Sequence, residues 1–316
     1  MIIYNMNFQE IIKLSKPDLS DSSVKAYDSI LKKLNTSNSS TLDFLLNTNN
    51  ILNEIKENKT TTQQNKLNAI IVALKSNSNK YKQEIIIYQN HFNKLKLAYN
   101  EFLNKQEKTD TQNENWITYD ELIKMANKFK YKLRDLKNKE ELSKAEYEIL
   151  LFNVILQTHI NIPLRNDLPE FQIINEKNYT DDDNNYLVIK NKSNMYFVLN
   201  NYKTSKTFGK IIIHVPKKLN NLYNMWFRYN KSKYFITSIQ DRSQPITTNN
   251  YTKYFNKLFH VYYPSKLISS SMVRHIIITE RLKDSPNITQ QNEQEKNTIN
   301  LFQHNGVQNN IYNKII

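Results

Sequence analysis

No cysteine occurs anywhere in the 316 residues. That excludes a disulfide framework, a thiolate zinc site and a cysteine nucleophile together, and it fits an intracellular, reducing compartment without separating nucleus from cytoplasm. Only two glycines are present, Gly209 and Gly306, too few for a Walker loop or a dinucleotide fingerprint. ATP- and NAD-dependent chemistry on the usual scaffolds, and hence a nucleotide cofactor, is not expected. The longest apolar run, residues 149–156, is broken by Asn153 and falls far short of a membrane span. The N-terminus lacks a basic stretch followed by an apolar one, so neither a signal peptide nor a membrane partner is expected.

Arginine is scarce too, at six of forty-four basic residues. A composition this rich in Asn, Lys and Ile writes lysine where a charge alone will serve. Each arginine therefore hints that a planar, bidentate fork for an oxyanion was needed. What the chain does have is a net charge of +14 with a pI near 9.5, which points to a polyanionic partner, most economically nucleic acid. A hydrophobic fraction of 39% with 11% aromatics supports packed cores, and the length suits two domains.

Residues 1–103 read as a helical domain. In residues 20–34, Val24, Tyr27, Leu31 and Leu34 share one face behind capping serines, and Leu67, Ile70, Ile71 and Leu74 do the same in a later helix. Residues 104–115, NKQEKTDTQNEN, hold no apolar side chain and read as a linker. A second domain then spans residues 116–316. Capping boxes at Thr118 with Glu121 and Ser143 with Glu146 open two helices, the second strongly apolar and destined for the core.

Pro163 and Pro169 bracket Arg165 just past that helix, where a turn can aim a side chain. Short β-rich runs at 186–189, 195–199 and 210–215 predict a three-stranded antiparallel sheet. The loop NNYKTSKTFG between its last two strands carries Lys203 and Lys206. A helix at 249–260 lines up Tyr251, Tyr254, Phe255, Leu258 and Phe259, a spacing that fits core packing better than base stacking. In residues 269–282, Val273 and Ile276 to Ile278 would bury a helix and leave Arg274 and His275 at a site. After a polar stretch comes LFQHNGVQNNIY, with His304 and Tyr312, the only tyrosine beyond Tyr263. A phenol with a pKa near ~10 is a poor nucleophile unless cations surround its target.

The ordered set Arg165, a lysine on a β-hairpin, Arg274 in S-x-x-R-H, then H-N-G and a late tyrosine resembles the tyrosine recombinase, or phage integrase, family. The flavour PLRND followed by YKTSK resembles integrases of large DNA viruses and associated mobile elements. The resemblance covers roughly residues 115–316, and more weakly the N-terminal third. It implies a mainly α fold with a small antiparallel sheet, a helical core-binding bundle clamping double-stranded DNA with the catalytic domain, and a homotetramer on two DNA sites. It implies neither cofactor nor metal.

For the site it implies Tyr312 as nucleophile, Arg165 and Arg274 on the phosphate, Lys203 (with Lys206 as the alternative) as general acid, and His304 assisting. Three departures stand out. Ser271 occupies a position that is commonly histidine, where its hydroxyl could still donate a hydrogen bond. Leu168 stands where the family often has glutamate, with Asp167 one place earlier. His304 and Tyr312 are eight residues apart, about one fewer than the family interval. A type IB topoisomerase-like enzyme and a non-catalytic, recombinase-derived DNA-binding protein are the alternatives.

Overall fold

A computed structural model describes residues 7–282 apart from 163, 166, 167 and 204. His304 and Tyr312 thus lie outside the described residues, as does Asp167. The chain divides into two compact units, one ending at Lys105 and the other beginning at Gln106.

The first unit is helical: α1 (Phe8–Ser15), α2 (Asp21–Leu34), α3 (Thr48–Lys56), α4 (Thr60–Leu74) and α5 (Lys82–Asn104). Asn7, Ser20 and Asn47 each accept a hydrogen bond from the backbone N–H three residues on, satisfying donors that a helix start leaves open. Val24, Leu31 and Leu34 of α2 are buried as their spacing predicts, with Tyr27 packed at the edge. Leu67, Ile70 and Leu74 of α4 are fully enclosed. The Tyr88 hydroxyl, also enclosed, donates to the Leu45 carbonyl at 2.8 Å.

The expected linker needs correction. α5 continues to Asn104, and residues 110–115 form a helix, α6 (Asp110–Asn115), closed by a capping box between Thr109 and Gln112. Asn115 Oδ1 accepts from the Leu267 N–H at 2.5 Å, and Lys266 donates to the Trp116 carbonyl at 2.7 Å. This helix is part of the second unit. Being polar on all sides, it carries no periodic signal, and local capping with a few tertiary bonds holds it.

The second unit continues with α7 (Tyr119–Lys132) and α8 (Lys144–Asn161), both opened by the expected capping boxes. After the strands come α10 (Lys217–Tyr229), α11 (Thr248–His260) and α12 (Ser270–Leu282). Among the described residues the sheet has four strands in sequence order: β1 (Gln172–Asn175), β2 (Tyr186–Asn191), β3 (Asn194–Leu199) and β4 (Ile211–His214). β2, β3 and β4 pair antiparallel, as expected, but β1 lies parallel to β2 with Gln172 opposite Tyr186. The sheet is therefore mixed, not antiparallel. A parallel neighbour needs a crossover, and residues 176–185 provide a short one that begins with a single 3₁₀ turn at Glu176–Asn178.

α8 is buried on almost every side from Leu150 to Leu156. Around it Phe171, Phe197, Tyr223, Trp226 and Phe235 form an aromatic core with edge-on contacts between several ring pairs. The aromatic face of α11 is core, as its spacing predicted: Tyr251, Phe255 and Phe259 are enclosed. Among the described residues no helix is long and apolar enough to cross a membrane.

Candidate active site

α8 ends at Asn161, and Arg165, four residues on, is half-buried. Its Nε is enclosed and has no hydrogen-bond partner among the described residues. A guanidinium N–H held out of water this way is costly unless something accepts from it.

The Arg165 charge reaches Tyr202. Burial pushes the Tyr202 phenol above its ordinary pKa, and the arginine pulls it back. The Tyr202 hydroxyl donates to the Gly209 carbonyl at 2.7 Å, closing the base of the β3–β4 connection. Gly209 has φ +66°, a left-handed conformation that glycine adopts without strain. Lys203 follows Tyr202 directly, and Lys206 sits on the short helix α9 (Ser205–Phe208) within the loop; both are exposed. Arg165 is thus placed at the foot of the loop that carries both lysines.

Arg274 lies on α12, whose first turn is capped by the Ser269 hydroxyl accepting from the Met272 N–H at 3.3 Å. Val273 and Ile276 to Ile278 are buried and seat the helix. Arg274 is 3% exposed, which is unusual for a guanidinium. Ser271, one turn earlier, is exposed, and His275 is half-buried.

His159, on the last turns of α8, is 1% exposed and lies within reach of the Arg274 charge. Its Nε2 lies 2.6 Å from the Tyr251 hydroxyl. Burial first, then the Arg274 charge, holds the ring's pKa down to about 3, while a hydrogen bond to the Leu164 backbone acts the other way. A bond that favours the protonated ring is one the ring donates. The Leu164 carbonyl therefore takes the imidazole N–H, and Nε2 is left to accept from Tyr251. The result is a neutral side chain that ties the residue before Arg165 to the surroundings of Arg274 without adding a third positive charge.

Arg281, near the end of α12, donates to the carbonyls of Ile160 and Asn161 at 3.3 and 3.2 Å. These are among the carbonyls that a helix C-terminus leaves open, and a cation there also meets the negative end of the helix dipole. Both arginine-bearing segments are thereby fastened to the end of α8.

Of the residues the sequence singled out, Arg165, Lys203, Lys206 and Arg274 are each placed by this arrangement, and Ser271 lies one turn from Arg274. His304 and Tyr312 lie outside the described residues. Sequence reasoning missed His159, Tyr202, Tyr251 and Arg281. A signal did exist for two of them: Arg281 is one of the six arginines, and His159 is one of only six histidines and lies six residues before Arg165. Chemically, guanidiniums can bind an oxyanion such as a phosphate diester and stabilise charge that builds on it.

No protein-family model matches this sequence, and none of the curated proteins does. Among solved structures, the crystal structure of XerA recombinase aligns over 98% of this chain and 93% of that one, with 11% identity and a TM-score of 0.42. No chemistry is read from a likeness that slight.

Proposed function

We propose that this protein is a site-specific DNA recombinase of the tyrosine type, which cuts and rejoins double-stranded DNA through a 3′-phosphotyrosyl intermediate. One observation supports the reading: Arg274 lies close enough to His159, near the end of α8, to lower its pKa, the His159 ring bonds the backbone of Leu164 next to Arg165, and the Arg165 charge reaches Tyr202 beside Lys203. Two scarce arginines near the end of one helix are what a shared phosphate would call for.

In this mechanism the Tyr312 oxygen attacks the phosphorus in line, forming a P–O bond to tyrosine as the bond to the 5′ oxygen breaks. Arg165 and Arg274 hold the non-bridging oxygens and offset the charge that develops on them. Lys203, or Lys206 in its place, gives a proton to the departing 5′ oxygen. His304 and Ser271 hydrogen-bond the phosphate or assist proton transfer. Since the phosphotyrosine conserves the bond energy, a second 5′-hydroxyl reverses the step on a new partner. The first unit serves as the core-binding bundle, four copies assemble on two DNA sites, and the biological role is integration of a viral or mobile element. The net charge of +14 makes phosphate contacts, and a steep loss of affinity with salt, part of the same reading.

The test is covalent trapping on nicked suicide duplexes carrying the element's own ends or a randomised pool, with Tyr312→Phe in parallel. A denaturation-resistant protein–DNA adduct in the parent alone supports the reading. A two-site joining assay then separates a recombinase from a type IB topoisomerase-like enzyme. Salt-sensitive binding with no adduct on any substrate replaces the catalytic reading with that of a DNA-binding protein.

A further inference from the structure

A cavity of roughly 830 Å³ opens in the second unit between α7, α8 and α10. Its size is that of a pocket for a small ligand (about 300–1,000 Å³). Five cations line it, namely Lys130, Arg134, Lys137, Lys218 and Arg228, and no carboxylate does so among the described residues. All five are exposed, so their charge is presented at the rim. Arg228 is held in place there, donating to the carbonyls of Lys137 and Lys139. The charge balance alone would favour any anion.

The floor is more specific. Asn153, in the middle of α8, lines the cavity and is 1% exposed, and neither its Nδ2 nor its Oδ1 has a hydrogen-bond partner among the described residues. It is the residue that interrupts the apolar run of α8. A desolvated amide missing both partners destabilises the fold, and leucine at this place would remove that cost. A paired donor and acceptor on one planar group matches the edge of a heteroaromatic base. Leu219, Leu222 and Met225 supply apolar wall beside it.

We propose that this cavity is a nucleotide-binding site, in which the base is read by the Asn153 amide and the phosphates are held by the cationic rim. Donors here come from side chains and not from a glycine-rich backbone cradle. The scarcity of glycine excludes a Walker loop, therefore, but not this site. The ligand would be a free nucleotide or the phosphorylated end of a strand, which present the same groups. The inference stands apart from the recombinase reading, since none of the residues it uses belongs to that site.

Calorimetric titration of the full-length protein with ATP, inorganic triphosphate and a 5′-phosphorylated trinucleotide, repeated with Asn153→Leu and Lys218→Glu, tests it. A base-bearing ligand is expected to bind the parent more tightly than triphosphate does. Asn153→Leu should then weaken that ligand about tenfold or more while leaving triphosphate binding intact, which also reports that the fold has survived. Lys218→Glu should weaken every phosphate-bearing ligand. Whether ATP or the trinucleotide is preferred identifies the source. Absence of binding, equal binding of triphosphate and ATP, or unchanged ATP affinity in Asn153→Leu overturns the assignment.

Discussion

The two units bury different kinds of group. In the first, Asp28 is the one polar or charged side chain that is buried among the described residues, and it still reaches Lys32 at 2.9 Å and Gln9 at 3.2 Å. The second unit encloses Asn153, Thr158, His159, Thr237 and Arg274, among others. Removing polar groups from water is unfavourable unless partners are supplied. The first unit is held by methyl groups packed along helical seams and carries little that a helical scaffold would not need. The second accepts desolvated polar groups at several places, the end of α8 and the cavity floor among them.

The sharpest way to break this contrast is at Arg274. On the proposed reading, Arg274→Lys keeps the charge but loses the planar fork, and adduct formation should slow by about 10²-fold, measured as single-turnover trapping. A conservative change in the first unit, such as Lys66→Arg, should leave that rate nearly unchanged.

Acid tests the same contrast through stability and not through rate. The His159 pKa lies near 3 in the folded chain and near ~6.5 when unfolded, so the unfolded state binds the extra proton first. Stability from keeping this ring neutral is fully present above about pH 6.5 and is lost as the pH falls toward 3, by an amount on the order of 4 kcal/mol. His159→Gln cannot take up that proton. Its unfolding midpoint should fall less steeply over the same range in a pH series of denaturant titrations.

The units also separate spectroscopically, since both tryptophans, Trp116 and Trp226, lie in the second. Leu67→Ala, in the centre of the first core, should cost about 2–5 kcal/mol. The far-UV circular dichroism transition should then gain an early component while the tryptophan fluorescence transition stays where it was. Coincident shifts in both signals would show that the units unfold as one. Smallest of all, Ser143→Ala removes the cap of α8 and should cost about 1 kcal/mol, visible in fluorescence.

Local features were legible in the sequence because local rules decide them. The caps at Thr118 and Ser143, the buried face of α12 and the aromatic face of α11 follow from spacing within a dozen residues. β1 was not legible: QIIN is four residues long, and it is a strand through distant partners, the parallel pairing with β2 and a bridge from Gln172 to Tyr234. The helix at residues 110–115 was hidden because its stability comes from a capping box and from Leu267, 152 residues away from Asn115. The same holds at the candidate site. Arg165 and Arg274 could be named from order and scarcity, but the hydroxyl of Tyr251, which lies 92 residues from His159, gives no sign in sequence of what it meets.

The hold of Arg281 on the last carbonyls of α8 bears on how this region opens. These bonds fasten α12 to the end of α8, so the two helices are expected to open together. Opening then becomes a single cooperative event. In native-state hydrogen exchange, amides late in α8 and those around Ile277 in α12 should lose protection together, at one free energy. Arg281→Ala should split them into two events, with α12 exchanging first.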